Sequence, residues 1–230
     1  MSKKASKISV IVPVYNEEKS IGNVLRSLMK LRKALPMMEI VVVDDGSKDR
    51  TADEVAAFPV VKYVRHEENR GKGAALLTGF EVATGDIFVV QDADLEYSPS
   101  DIPKLIGPIL NSRADVVYGS RFKTRCNGMC LMHHIGNRIL SVTTRLLYRV
   151  SITDVMTGHK CFTKQVLESL DLKEDDFNIE VEITAKVLKN GWRLVEVPIR
   201  YSRRPFGKAK ISYADGVSSM VKLMREFIFR

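Results

Sequence analysis

Short runs of β-branched residues, regularly interrupted by stretches with helical spacing, constrain this chain more than any other feature. Ile8–Val14, Glu39–Val43, Val60–Val64 and Ile87–Val90 are such runs, each bounded by charge or turn residues. Near-continuous apolar runs of this length read as strands buried on both faces. Between the first two, Ile21, Val24, Leu25, Leu28, Leu31 and Leu35 recur three and four residues apart and mark one face of a helix. Pro36 ends it, because a proline ring clashes with the preceding turn. Asp49 and Thr51 start a second helix running through Ala57, and Gly73 to Ala83 forms a third. Strand and helix in strict alternation predict a mostly parallel α/β sheet flanked by helices, Rossmann-like in layout.

The second half is less regular. Ile102 to Leu110, Asn137 to Tyr148, Ile179 to Lys189 and Tyr213 to Phe229 have helical spacing, while Val116 to Tyr118 and Leu194 to Ile199 read as strands. Asn190-Gly191 closes the third of these helices as a C-cap pair. Residues 121 to 135 lack periodicity and are expected to be loop. Arg200 to Lys210, basic and broken by proline and glycine, is expected to be a mobile loop. No repeat, low-complexity tract or linker divides the 230 residues, so a single domain is expected across 1–230.

With 45% hydrophobic residues the chain can bury a full core without disulfides. Its three cysteines form no even framework, which favours a reducing, cytoplasmic setting. No apolar run approaches the ~18 residues of a membrane span. The net charge of +8 favours anionic partners. Nucleic acid is disfavoured among them: only 7% of residues are aromatic, and no stacking platform is apparent.

Three acidic or polar motifs follow predicted strands, where a parallel sheet places its ligands. Pro13-Val-Tyr15-Asn-Glu17 follows the first strand, Asp44-Asp45-Gly46-Ser47 the second and Asp92-Ala93-Asp94 the fourth. Carboxylates converging from three strand ends repel one another unless a divalent cation and ribose hydroxyls occupy the crevice. Alternate spacing lets Asp92 and Asp94 face one cleft. Oxygen ligands suit Mg2+ or Mn2+, which would neutralise a departing diphosphate. A carboxylate at the end of the second strand, here Asp44, is where nucleotide-binding sheets hold a ribose hydroxyl. Arg70-Gly71-Lys72-Gly73 offers amides and positive charge at a helix start, but it is neither a P-loop nor a Gly-x-Gly-x-x-Gly turn, since Leu76 stands at the last glycine position.

Taken together, Val12–Glu17, Val43–Ser47, Asn69–Gly73 and Asp92–Leu95 resemble family 2 glycosyltransferases of the GT-A fold. The C-terminal half is more narrowly similar to the polyprenyl-phosphate hexose synthases, such as dolichyl-phosphate mannose synthase and its glucosyl relatives. Tyr118–Phe122, Asp154, Thr157-Gly158, Phe177–Glu182, Glu196–Ile199, Arg204 and Lys210 carry that similarity. The resemblance implies a nucleotide-sugar-binding half at about 7–115 and an acceptor-binding half at about 116–230. In it Pro13, Tyr15, Glu17 and Asp44 would surround the nucleoside, and Asp92, Ala93 and Asp94 would serve the metal and diphosphate. Arg121 would hold a phosphate, with Arg138 a further candidate for the acceptor's, and Arg204 and Lys210 would close over the diphosphate. Glu96 stands where many mannose synthases have glutamine, and its carboxylate would join the metal shell.

The expected reaction is inverting transfer of mannose or glucose from GDP-mannose or UDP-glucose to a polyprenyl phosphate. A phosphate acceptor is already anionic near neutrality and needs no general base. A hydroxyl acceptor would need one, for which Asp154, Glu180 and Glu182 are the candidates. The same motifs would also serve a non-catalytic nucleotide-sugar sensor. Met129, Leu131 and Met132 among basic residues, and the apolar stripe Val217, Met220, Val221, Leu223, Met224 and Phe227 of the last helix, suit either peripheral contact with a cytoplasmic membrane face or ordinary packing. A separate membrane-anchoring subunit is the other way to reach a lipid. Cys126 and Cys130 with His133 lack a common zinc-finger spacing, and a zinc site there is not expected.

Overall fold

A computed structural model describes residues 6–124, 128–207 and 213–228. In chain order it contains β1 (Ile8–Val14), α1 (Ile21–Ala34), β2 (Met38–Asp44), α2 (Thr51–Ala56), β3 (Lys62–Arg65), α3 (Lys72–Val82) and β4 (Ile87–Val90). There follow α4 (Ile102–Leu110), β5 (Val116–Ser120), α5 (Leu131–Tyr148), β6 (Lys160–Thr163), α6 (Lys164–Ser169), α7 (Ile179–Lys189), β7 (Leu194–Pro198) and α8 (Tyr213–Ile228).

The strands form one seven-stranded sheet in the order β3-β2-β1-β4-β6-β5-β7. The pairs β1–β2, β1–β4, β2–β3 and β5–β7 are parallel, and β6 runs antiparallel to both neighbours. β4 and β5 therefore point the same way, and six strands share one direction. Alternation along each strand divides the core in two. Val10, Val12, Ile40 and Val42 pack with Val24, Leu25 and Leu28 of α1 and Ile102 and Leu105 of α4. Ile11, Val41 and Val43 pack on the other face with Ala75 and Leu76 of α3 and Ile179 and Val187 of α7.

The structure departs from expectation in several places. β6 has no counterpart among the expected strands: it is four residues long, and its buried Lys160 breaks the apolar pattern. α5 starts at Leu131, inside the stretch expected to be loop, and its buried line is Leu140, Ser141 and Thr144. The described part of the basic loop is pinned, since Arg200 N donates to Asp101 Oδ2 at 2.8 Å and Ser202 N to Glu96 O at 3.1 Å. Tyr201 adds an antiparallel bridge to Tyr97.

Candidate active site

Because β2, β1 and β4 are neighbours and parallel, the three motif loops leave the same edge of the sheet side by side. The loops then lock together. Asp45 N donates to Val14 O at 2.8 Å, Asn16 N to Ser47 Oγ at 2.9 Å, and Glu17 N to Thr51 Oγ1 at 2.9 Å. Asp45 accepts from Arg70 N (2.9 Å), Gly71 N (2.8 Å) and His66 Nδ1 (2.7 Å), which ties on the fourth loop. Gly71, at φ 103°, adopts a conformation that an L side chain resists.

A cleft of about 860 Å³ opens above this edge. Pro13, Tyr15, Glu17, Asp92, Ala93, Asp94, Glu96, Arg121 and Arg204 all line it. The Asp-Ala-Asp segment is a turn beyond β4, not extended chain. Gln91 Nε2 bridges the carbonyls of Asp92 (3.0 Å) and Tyr97 (3.1 Å), Leu95 has φ 67°, and Glu96 N donates to Asp94 Oδ1 at 3.0 Å. Burial, then the neighbouring Asp92 charge, pushes Asp94 up to about 6. Burial, then the charges of Asp94 and Asp92, pushes Glu96 up to about 7. Arg204 reaches across from the basic loop to pair with Glu17.

Other expected positions sit elsewhere. Asp44 is buried but does not line the cleft, and Asp45 takes that place. The Asp44 carboxylate accepts from Ser47 N (2.8 Å) and Tyr63 Oη (2.6 Å), so it shapes the loop beneath the cleft. Arg138 is exposed and stacks 4.6 Å over the Phe122 ring, away from the lining. Lys210 and Cys126 lie outside the described residues; Cys130 is an exposed free thiol, and His133 lines the cleft. Among the described residues, no three His, Cys, Asp or Glu side chains gather at metal-ligand spacing.

Known proteins are similar to this chain in sequence and in fold. Residues 9–171, more than half the chain, match Glycosyl transferase family 2. The chain belongs to that family. The transferase is 36% identical to UDP-N-acetylglucosamine–dolichyl-phosphate N-acetylglucosaminyltransferase of Methanococcus voltae, with 84% of each chain covered. It is 32% identical to the polyprenol monophosphomannose synthase of Mycolicibacterium smegmatis, over 93% of this chain and 84% of that one. Its fold matches glucosyl-3-phosphoglycerate synthase from Mycobacterium tuberculosis, solved with Mn2+, UDP-glucose and phosphoglyceric acid. The TM-score is 0.81 at 21% identity, covering 96% of this chain and 80% of that one.

Within the transferase, Arg121 touches the cleft but is already committed. Its Nε and Nη2 each lie 2.7 Å from an oxygen of the fully buried Asp154, and its backbone N donates to the same carboxylate at 3.0 Å. Glu196 in turn accepts from Thr153 N and Asp154 N, fixing that loop. The three carboxylates considered as bases are engaged in the same way. Asp154 holds Arg121, Glu180 holds Lys160 and Lys72, and Glu182 accepts from Lys173 N and Glu174 N at 2.9 Å each and pairs with Lys186 at 2.8 Å.

Sequence reasoning missed Lys72 as a partner of Asp92, at 2.8 Å, and missed Asp45 as the lining carboxylate. The first signal was present in the Gly71-Lys72-Gly73 run, whose glycines let α3 press onto residues 174–176. A Cβ at Gly73 would lie 2.0 Å from the Glu174 carbonyl oxygen.

Proposed function

We propose that this transferase moves a hexose, with inversion, from a nucleoside diphosphate sugar to a polyprenyl phosphate at a membrane surface. One observation carries the acceptor: the same cleft is lined by half-buried charged side chains and by exposed apolar ones. Asp92, Asp94, Glu96 and Arg204 are the half-buried charged groups, and Met132, Ile135, Ile139, Val217 and Val221 are the exposed apolar ones, supplied by α5 and α8. Such a cleft suits a ligand with a charged head and a hydrocarbon tail. The apolar lining continues outward on Leu131, Val142, Leu146, Met224 and Ile228, all exposed. No helix among the described residues is long and apolar enough to cross a membrane. The exposed apolar stripe supports peripheral contact with a membrane, for which we propose the cytoplasmic face, with a separate anchoring subunit as the alternative.

The carboxylates fit a divalent cation, Mg2+ or Mn2+. Asp94 and Glu96 are both half-buried, each raised by burial and by its neighbours' charge, and a cation would relieve both. One or two carboxylates plus substrate phosphates make a usual Mg2+ site. Bound there, the cation supplies charge neutralisation to the leaving diphosphate. Arg204, carried over the cleft by the pinned loop, adds positive charge on the same side. The acceptor phosphate is its own nucleophile, so the engagement of Asp154, Glu180 and Glu182 costs this reaction nothing. Arg121 fixes the wall along which the acceptor lies, and a direct role on its phosphate would require exchange with Asp154.

A second reading has its own observation: Glu96, pushed to about 7, has the basicity of a general base for a hydroxyl acceptor. An assay crossing GDP-mannose, UDP-glucose and UDP-N-acetylglucosamine with a polyprenyl phosphate, the matching polyprenol and soluble glycans, in Mn2+ or Mg2+, separates the two. Transfer to the phosphate alone is expected, and transfer to a hydroxyl but not to the phosphate would replace the first reading with the second.

A further inference from the structure

Asp92 is held differently from the two acids that follow it. Lys72 Nζ lies 2.8 Å from Asp92 Oδ1 and 3.0 Å from Glu180 Oε1. Glu180 pairs through its other oxygen with Lys160. The Lys160 ammonium also donates to the carbonyls of Val155 (3.1 Å) and Thr157 (2.6 Å) and sits 4.7 Å over the Tyr118 ring. Lys160, Glu180, Lys72 and Asp92 thus form a row of alternating charge running from the core to the cleft. Side-chain exposure rises along it from 1% and 4% to 15% and 17%. The inner pair cannot move without stranding a buried charge, so Glu180 is a fixed anchor for Lys72. Asp92 is confined on its other side as well. Its Oδ2 packs on Gly158, where a Cβ would lie only 2.1 Å away. Among the described residues, Asp94 and Glu96 have no ion-pair partner.

A divalent cation entering the cleft therefore meets two available carboxylates and a third that Lys72 already holds. Two carboxylates and water bind Mg2+ or Mn2+ weakly, and phosphate oxygens supply what is missing. A nucleoside diphosphate also brings negative charge into the cleft that Lys72 lines, giving the ammonium another partner in exchange for Asp92.

We propose that Lys72, anchored by Glu180 and Lys160, is a positioning residue that withholds Asp92 from the cation until a nucleoside diphosphate is bound, so that metal and nucleotide load cooperatively. This inference rests on the metal-dependent reading above but not on the identity of sugar or acceptor.

Mn2+ affinity of the full chain, followed by the EPR signal of the free ion, and GDP and UDP affinities with and without Mn2+ test it. Wild type should bind Mn2+ weakly alone and bind one nucleotide about tenfold or more tighter with the ion, a coupling of ordinary size. Lys72→Met should raise nucleotide-free Mn2+ affinity by about tenfold and shrink the coupling, while Lys72→Arg keeps it. Asp92→Asn should leave nucleotide-free Mn2+ affinity unchanged and weaken nucleotide binding in saturating Mn2+. Unchanged Mn2+ affinity in a folded Lys72→Met, or a loss of nucleotide-free affinity in Asp92→Asn, overturns the proposal. If Lys72→Met fails to fold, the Asp92→Asn arm decides. A wild-type chain whose nucleotide affinities ignore Mn2+ and Mg2+ would overturn the metal-dependent reading itself.

Discussion

The guanidinium of Arg121 and the carboxylate of Asp154 share two 2.7 Å contacts in a site almost closed to water. Removing one partner leaves the other charge buried and uncompensated. Arg121→Ala should therefore lower unfolding free energy by about 3–5 kcal/mol, read from urea denaturation. Arg121→Lys should recover only part, since an ammonium cannot make the bidentate fork. Asp94 is the contrasting case, because no buried pair depends on it. Asp94→Asn should keep the fold by circular dichroism and lower turnover roughly 10²-fold or more, the loss usual for a group that offsets developing charge. Glu39 sets a pH dependence at the far edge of the sheet. Burial raises its pKa, but hydrogen bonds from Lys7, Ser9 and Thr84 outweigh that and hold it at about 2, below the ordinary 4.5. A carboxylate lowered in the folded state stabilises above its unfolded pKa, and that contribution is lost as pH falls from 4.5 towards 2. Glu39→Gln should lower the urea midpoint at pH 7 and flatten the loss between those two values.

The helices differ in how far their sequences disclose them. α1 and α7 were legible because each buries a regular apolar line, Ile21, Val24, Leu25 and Leu28 in α1 and Ile179, Ile183 and Val187 in α7. α5 was legible only from Asn137 on. Its first turns turn Leu131, Met132 and Ile135 outward and bury none of them, so the inside-outside contrast that marks a helix is missing. α8 divides its apolar residues: Leu223 is fully buried against α7, while Val217, Val221, Met224 and Ile228 face outward. The expected choice between packing and membrane contact is thus answered residue by residue for packing, and membrane contact is left to the outward stripe. Leu146, 75% exposed and absent from the cleft lining, isolates that function. Leu146→Glu should weaken association with anionic vesicles in flotation assays, while the thermal midpoint and turnover with a short, detergent-soluble acceptor stay near wild type.

The deepest charges of the fold balance one another. Lys160 with Glu180, Arg121 with Asp154 and Lys186 with Glu182 are satisfied by the protein's own groups, so no bound ion is needed to balance these pairs, whereas Asp94 and Glu96 at the cleft have no ion-pair partner among the described residues. Chelation with EDTA should therefore abolish transfer and leave the thermal midpoint of the nucleotide-free protein unchanged. Nucleotide plus Mn2+ together should raise it, by roughly 2.7 kcal/mol of added stability at a hundredfold excess over Kd. A fall in midpoint on chelation alone would show that an ion is part of the fold.

Periodicity and turn chemistry carried the strand-helix order of the first half and the placing of three acidic motifs at strand ends, because those signals depend on neighbours in the chain. The resemblance of the motifs carried the family. What lay beyond local pattern was which side chain of each motif faces the cleft. Asp44 and Asp45 are adjacent and alike in sequence, yet strand alternation and the Tyr63 hydroxyl turn one inward and leave the other lining the cleft. The partners of Asp92, Arg121 and Glu17 come from 20, 33 and 187 residues away, and β6 supplies a buried lysine from a strand with no apolar rhythm. Charge pairing over such separations leaves no periodic trace, and it is decided when the sheet brings distant strand ends to one edge.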